Sequence, residues 1–273
     1  MTERLDRDGH EVLIVIPAYN EEMEIAGVLK QLTVPPISDF ADVLIVNDAS
    51  QDMTNKIVKQ FKQVAMITHI FNLGYGSALQ TAYKYAVRRK YRYVIQMDAD
   101  GQHDPSNVVT IYECLKETYF DGRSPDIVIG SRFMPGSAPF KTSFPKRAAI
   151  SMFRSLIKEM TGHIVTDPTS GLQGLSRPAF LYYSFQGNFD DRYPDANMIV
   201  QMVLSGFRVK EVPAIMYQRT SGSSMHSGFK PIFYMMRMAI AMTAVWLRLR
   251  MLPEDKRIGL HLEKLMWMDE AED

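Results

Sequence analysis

The sequence predicts an α/β protein: a mostly parallel β-sheet flanked by helices, with an amphipathic helical appendage at its C-terminus. Three observations point there. Short apolar, β-branched runs alternate with stretches of helical periodicity through the first half of the chain. Polar or glycine-rich loops follow those runs. Bases and methionines then gather late: residues 206–252 hold seven Lys/Arg against one acid, and eight of the 19 methionines fall between Met225 and Met268.

The elements follow in order. Val12–Ile16 is a buried-strand run ending at Pro17. Asn20 can cap a helix whose apolar positions Ile25, Val28, Leu29 and Leu32 share one face, and Pro35-Pro36 stops it. Val43–Val46 is the second strand, and Ser50 is a candidate cap for a helix carrying Ile57, Val58 and Phe61. Val64–Thr68 is the third strand, and Ala78, Leu79, Ala82, Ala86 and Val87 mark the next helical face. Tyr93–Met97 runs straight into acids, Pro105 opens a helix with Val108, Val109, Tyr112 and Leu115 inward, and Asp126–Gly130 is the fifth strand. A helix with Met198, Ile199, Met202 and Val203 inward follows Asp195. In such sheets ligands sit outside the carboxyl ends of the strands. Pro17–Asn20, Asn47–Ser50, Asn72–Gly76 and Asp98–Gln102 all follow strands, so four loops converge on one edge.

Composition narrows the function classes. The chain has 273 residues with 31 bases and 31 acids, 46% apolar and 23% charged, which is ordinary globular usage. Nucleic-acid binding by bulk charge and extended disorder are excluded. Cys114 is the single cysteine and an inert helical thiol, fitting a reducing compartment. The opening MTERLDRDGH is too polar for a secretory signal, and no run of 18 uncharged apolar residues suggests a membrane span.

Asp98-Ala99-Asp100 ends the fourth strand. In extended backbone residues i and i+2 point the same way, so both carboxylates can face one ligand. Hard oxygen pairs of this kind suit Mg²⁺ or Mn²⁺ shared with a phosphorylated substrate, whereas an ordinary capping loop would only solvate its acids. Asn72-Leu-Gly-Tyr-Gly76 lacks the third glycine of a dinucleotide fingerprint. Asp167–Gly171 is either a Pro-initiated turn or part of a site. Arg219–Ser224 joins a guanidinium to hydroxyls and reads as a diphosphate clamp or a plain linker. From Lys230 to Leu252, Lys230, Tyr234, Arg237, Ala241, Ala244 and Arg248 fall on one stripe of an otherwise apolar helix. This suits an interfacial membrane helix with its bases on anionic headgroups, or a helix docked on the main domain or on a second copy.

Taken together, the segments resemble the family 2 glycosyltransferases of GT-A fold, a Rossmann-like sheet, and within them the polyprenyl-phosphate glycosyltransferases that include dolichyl-phosphate mannose synthase. The matching residues are Ile16–Glu21, Asn47–Asp52, Asn72–Gly76, Met97–His103, Gly130–Arg132, Asp167–Gly171 and Arg219–Ser224, in the family's order over about residues 11–226. The resemblance divides the chain into a GT-A domain (1–226) and C-terminal amphipathic helices (227–273). It implies that Pro17, Tyr19, Glu21 and Gly74 line a nucleotide-sugar pocket and that Asp48 contacts the base. It assigns the metal to Asp98 and Asp100, with Gln102 nearby. Arg132 and Arg219 would steady phosphates, and Ser223 or Ser224 would sit on a closing loop. Where the family often has two consecutive acids, this chain has Asn47-Asp48.

The implied reaction is inverting transfer of a sugar, with a lean toward a UDP-hexose donor. The acceptor decides whether a base is needed. A hydroxyl must lose its proton, which calls for Asp167 or Asp195 as base; a monophosphate, with a second pKa of about 6, is mostly dianionic already. In the second case Asp167 and Asp195 only position the acceptor and Arg132 attracts it. The basic helix favours polyprenyl phosphate and a peripheral location on the cytoplasmic face of the cell membrane. The alternatives are a sugar hydroxyl of a surface polysaccharide and a non-catalytic nucleotide-sugar-binding scaffold; self-association through the Met-rich tail also fits.

Overall fold

The computed structural model describes residues 10–218 and 230–252. Seven strands form one sheet: β1 (Val12–Ala18), β2 (Ala41–Asn47), β3 (Val64–Thr68), β4 (Tyr93–Gln96), β5 (Ile127–Ser131), β6 (Gln173–Ser176) and β7 (Val209–Pro213). Their spatial order is β3-β2-β1-β4-β6-β5-β7. β1 pairs in parallel with β2 and β4, and β2 with β3, so that Ala18 lies opposite Asn47 and Asn47 opposite Thr68. β6 runs antiparallel to both β4 and β5, and β5 pairs in parallel with β7. Two reversals restore the direction. Hence β5 and β7 end on the same edge as β1 to β4, and β6 starts there.

Burial explains the layers. Val12, Ile14 and Ile16 of β1 point into one core with α1 (Ile25–Leu32) and α4 (Ser106–Lys116), while Leu13 and Val15 point into the other. The second core is closed by α3 (Tyr75–Arg88), α5 (Phe144–Thr161), α6 (Arg177–Ser184), α7 (Ala196–Leu204) and α8 (Lys230–Met251). Between β2 and β3 lies α2 (Thr54–Val58), which buries Val58. The apolar faces read from periodicity hold: Ile25, Val28, Leu29 and Leu32 are all buried, as are Ala78, Leu79, Ala82 and Ala86. Cys114 is buried and free.

Two helix starts differ from the expected ones. Asn20 does not cap α1; it adopts φ +57°, donates its N–H to Ser50 Oγ and accepts the Gln51 N–H on Oδ1. The helix begins five residues later. Ser50 is therefore spent on Asn20, and Asp52 accepts the Thr54 N–H at the start of α2 instead. The two loops tie to each other rather than to their own helices.

β6 and β7 go beyond the five expected strands. β6 carries one large apolar residue, Leu175, and lies mid-sheet because its glycine permits it. A Cβ on Gly174 would sit 2.2 Å from Ile111.

α8 packs on α7 and α5 and buries Met238 and Met242 in the shared core, and Leu249 is buried as well. Each such side chain contributes ~1.5–3 kcal/mol. The expected boundary at 226/227 lies outside the described residues. Three members of the polar stripe reach the domain: Tyr234 bonds Asp195, Arg237 lies 4.8 Å over the Tyr193 ring, and Arg248 donates to Gln201, with both arginines still partly open to solvent. Its outward side exposes Phe233, Met236, Ile240, Leu247 and Met251 among the arginines. Among the described residues no helix is long and apolar enough to cross a membrane.

Candidate active site

The strand ends build one face of the site. Met97 and Ala99 turn inward and are buried, so Asp98 and Asp100 both turn to the open side. Asp98 Oδ1 accepts the Tyr75 hydroxyl at 3.0 Å, and Oδ2 lies 3.3 Å from His103 Nε2. Asp100 Oδ1 accepts the Gln102 N–H at 3.1 Å. Desolvation opposes the Asp98 charge, but His103, Tyr75 and Arg132 outweigh it and hold the carboxyl below the usual range. A Cβ on Gly171 would come within 2.8 Å of Asp98 Oδ2, so only glycine lets the carboxylate stand there.

The donor set fits a divalent cation that shares its shell with a ligand. Among the described residues no three His, Cys, Asp or Glu side chains converge as a metal cage. Two anionic oxygens completed by substrate phosphates are how Mg²⁺ or Mn²⁺ is commonly held. His103, buried with its Nδ1 unpartnered, orients Asp98 from behind.

Asp48 does not stand open for a nucleobase. It is 3% exposed, and its carboxylate accepts the Leu73 and Gly74 N–H groups at 2.9 and 2.8 Å. His69 Nδ1 adds a third contact at 2.7 Å, and its Nε2 lies 2.9 Å from Thr81 Oγ1. Asp48 is thus the anchor that curls residues 72–76 against β2. Gly76 brings α3 against the loop before α7; a Cβ there would meet the Asp190 carbonyl at 2.1 Å. Pro17 is half-buried and Tyr19 is 43% exposed at the rim, beside Glu21, whose N–H bonds Thr54 Oγ1. Gln102 donates its amide to the Tyr217 carbonyl, which joins the end of β7 to the acidic loop. Arg219, Ser223 and Ser224 lie outside the described residues.

The second face is a chain of charges. Arg132, just past β5, places Nε 2.6 Å from Asp167 Oδ2 and Nη2 2.7 Å from Oδ1, a two-pronged pair. Nη2 also donates to the Thr169 carbonyl and hydroxyl. Asp167 is wholly buried and both oxygens are engaged, so it is the seat of Arg132 rather than an open base. Glu211 of β7 in turn accepts the Thr166 and Asp167 N–H groups. Breaking one partner of such a buried pair costs ~3–5 kcal/mol.

Asp195 differs. Half-buried before α7, it accepts the Tyr234 hydroxyl at 2.6 Å. Desolvation pushes its carboxyl up to about 6, with Asp98 and Asp190 adding to the rise while Tyr234 and Arg132 oppose it. Lys146, on the first turn of α5, feels Arg132, Asp167, Asp195 and Asp98 together. Desolvation and the Arg132 charge draw its ammonium below the lysine range.

Six contributing residues escape a motif reading. Tyr75 and His103 sat inside quoted motifs without a role, and His69, Lys146, Glu211 and Tyr234 act through partners far away in sequence. Only the amphipathic pattern around Tyr234 offered a signal.

Sheet, paired carboxylates and seated arginine have the form of a GT-A glycosyltransferase. The chain belongs to the glycosyl transferase family 2, whose family model matches residues 13–183. It is 30% identical over 226 residues to an undecaprenyl-phosphate mannosyltransferase of Micrococcus luteus, covering 80% of this chain and 88% of that one. It is 27% identical over 248 residues to a UDP-N-acetylglucosamine–dolichyl-phosphate N-acetylglucosaminyltransferase of Methanococcus voltae, covering 83% and 95%. Among solved structures, glucosyl-3-phosphoglycerate synthase of Mycobacterium tuberculosis, in complex with Mn²⁺, UDP and phosphoglyceric acid, superposes with TM-score 0.62. It does so at 17% identity, over 90% of this chain and 80% of that one. That likeness concerns the fold.

Proposed function

We propose that the protein transfers a sugar, with inversion, from a nucleotide diphosphate donor to polyprenyl phosphate at a membrane surface, with a UDP-hexose as the preferred donor. The observation that carries this reading is α8. Its outer side exposes apolar side chains, and its inner side reaches the site through Tyr234 and Asp195. A lipid bilayer with anionic headgroups is the occupant that suits exposed apolar side chains interspersed with the partly solvent-open Arg237, Arg248 and Arg250. The relatives named for polyprenyl and dolichyl phosphates support it.

The chemistry follows from charge. Asp98 and Asp100 would hold Mg²⁺ or Mn²⁺, which supplies stabilisation of the negative charge on the departing diphosphate. Tyr19, Pro17, Glu21 and the Gly74 loop form the nucleotide side, with Asp48 fixing that loop. Arg219, Ser223 and Ser224 stay assigned to the donor phosphates. Arg132, held rigidly by Asp167, and Lys146 attract the acceptor phosphate. A phosphate dianion needs no base, so Asp195 takes no proton from it and only helps to shape the acceptor subsite. The enzyme then works peripherally, on the cytoplasmic face.

A second reading keeps the donor and replaces the acceptor by a glycan hydroxyl. Asp195 favours it, because a carboxyl pushed up to about 6 is well matched to a general base. Mass spectrometry of lipid extracts decides. The protein is incubated with Mg²⁺ or Mn²⁺, undecaprenyl phosphate and a panel of nucleotide sugars. A polyprenyl-phosphate hexose that is absent with Asp100→Ala supports the lipid acceptor; metal-dependent nucleotide release without a lipid product supports the glycan.

A further inference from the structure

We infer that Tyr234 is a positioning residue for the acceptor: from the inner face of α8 its hydroxyl fixes the Asp195 carboxylate, so the helix that meets lipid also completes the acceptor pocket. This rests on the reading of a lipid-phosphate acceptor given above.

Three observations carry it. First, Asp195 has no structural task that would orient its carboxylate. It precedes α7, yet its side chain makes no capping hydrogen bond there; its own N–H is taken by Asn197 Oδ1. The Tyr234 hydroxyl, 2.6 Å from Oδ2, sets its direction across 39 residues of sequence. Second, the tyrosine ring cannot drift. Phe153 of α5 and Tyr193 pack edge-on against it at 6.0 and 5.9 Å, and Arg237 lies over the Tyr193 ring. Third, α8 is fastened again four turns on, where Arg248 donates to the buried Gln201 at 2.8 Å. Phe233, adjacent to Tyr234, is 73% exposed.

The physical consequence concerns Arg132. Asp195 lies within the fields of Asp98, Asp190 and Arg132. Held by Tyr234, it leaves the guanidinium to the incoming phosphate. Released, it turns toward Arg132 and competes with that phosphate for the cation. Tyr234 therefore protects the acceptor subsite from its own acid.

The test is a double-mutant cycle on the full chain with vesicles containing anionic lipid and undecaprenyl phosphate. Tyr234→Phe keeps the ring and its packing and removes only the hydroxyl. The expected result is a kcat/KM for the acceptor at least tenfold lower, with metal-dependent UDP affinity and the donor KM unchanged. Because Tyr234 acts through Asp195, Tyr234→Phe in an Asp195→Asn background adds less than twofold. An unchanged acceptor kcat/KM in Tyr234→Phe, or losses that simply multiply in the double variant, overturns the proposal. A wild-type protein that makes no lipid product retires the lipid reading separately. The same cycle, read on nucleotide release from the donor, then judges Tyr234.

Discussion

The two halves of the sheet are built by different rules. From β1 to β4 each strand is parallel and nearly continuous in apolar residues, and each delivers the loop that follows it to the edge. The paired carboxylates there have partners close in sequence, His103 for Asp98 and Gln102 for Asp100. The longer contacts, Tyr75 to Asp98 and His69, Leu73 and Gly74 to Asp48, span no more than 26 residues. From β5 to α8 the groups are held across long gaps: Arg132 by Asp167 over 35 residues, Asp167 by Glu211 over 44, Asp195 by Tyr234 over 39. On the proposed reading the first half is a rack for a nucleotide and a cation. The second is a network in which every charge depends on a distant one, so a single change propagates.

The contrast can be broken at its ends. The largest effect belongs to Asp100→Ala, which removes one of the two proposed metal ligands. Turnover falls at least about a thousandfold, and metal-dependent UDP binding is lost in calorimetry, while thermal stability stays near wild type. Arg132→Ala behaves in the opposite way. It leaves Asp167 buried and unpaired and lowers stability by ~3–5 kcal/mol in denaturant titration. Arg132→Ala with Asp167→Ala is less damaging to stability than Arg132→Ala alone, which distinguishes a network from a local contact.

Asp195 provides a pH test. Its folded carboxyl, near 6, lies above the ordinary value of 3.8, so the folded state holds the proton more tightly than the unfolded chain. Its contribution is favourable below pH 4 and is lost as pH rises through 6. Asp195→Asn is therefore more stable than wild type at pH 8, by up to about 2–3 kcal/mol, with the advantage vanishing near pH 4. A constant difference across that window contradicts the assignment. Asp48→Asn costs ~1–3 kcal/mol, since an amide keeps one acceptor oxygen for two N–H groups and a histidine. It raises the donor KM with little change in kcat. The smallest effect is on the outer side of α8: Ile240→Asn weakens binding to anionic vesicles about tenfold in sedimentation and leaves UDP affinity alone.

Legibility in the sequence follows the same division. Five strands, the apolar faces of α1 and α3 and the paired acids of Asp98-Ala99-Asp100 were readable because local periodicity determines them. β6 was not, since Gln173-Gly-Leu-Ser has too little apolar character and is buried by what packs on Gly174. Asp48 looked available because its three partners, Leu73, Gly74 and His69, come from a loop that only the β2–β3 pairing brings near. For Asp167 the choice between a plain turn, a base and a positioning group stayed open for the same reason: Arg132 and Glu211 reach it through β5 and β7. The stripe on α8 was visible in the sequence, but not its direction, since helical periodicity identifies a face without saying which neighbour it meets.

The most direct test of this division is the initial-rate kinetics of Arg132→Lys, varying nucleotide sugar and undecaprenyl phosphate independently. Lysine keeps the charge but not the fork that Asp167 grips. The expected result is a KM for the lipid phosphate raised tenfold or more, with the KM for the nucleotide sugar unchanged. A raised nucleotide-sugar KM with the lipid-phosphate KM untouched would place Arg132 on the donor and contradict the division of the site.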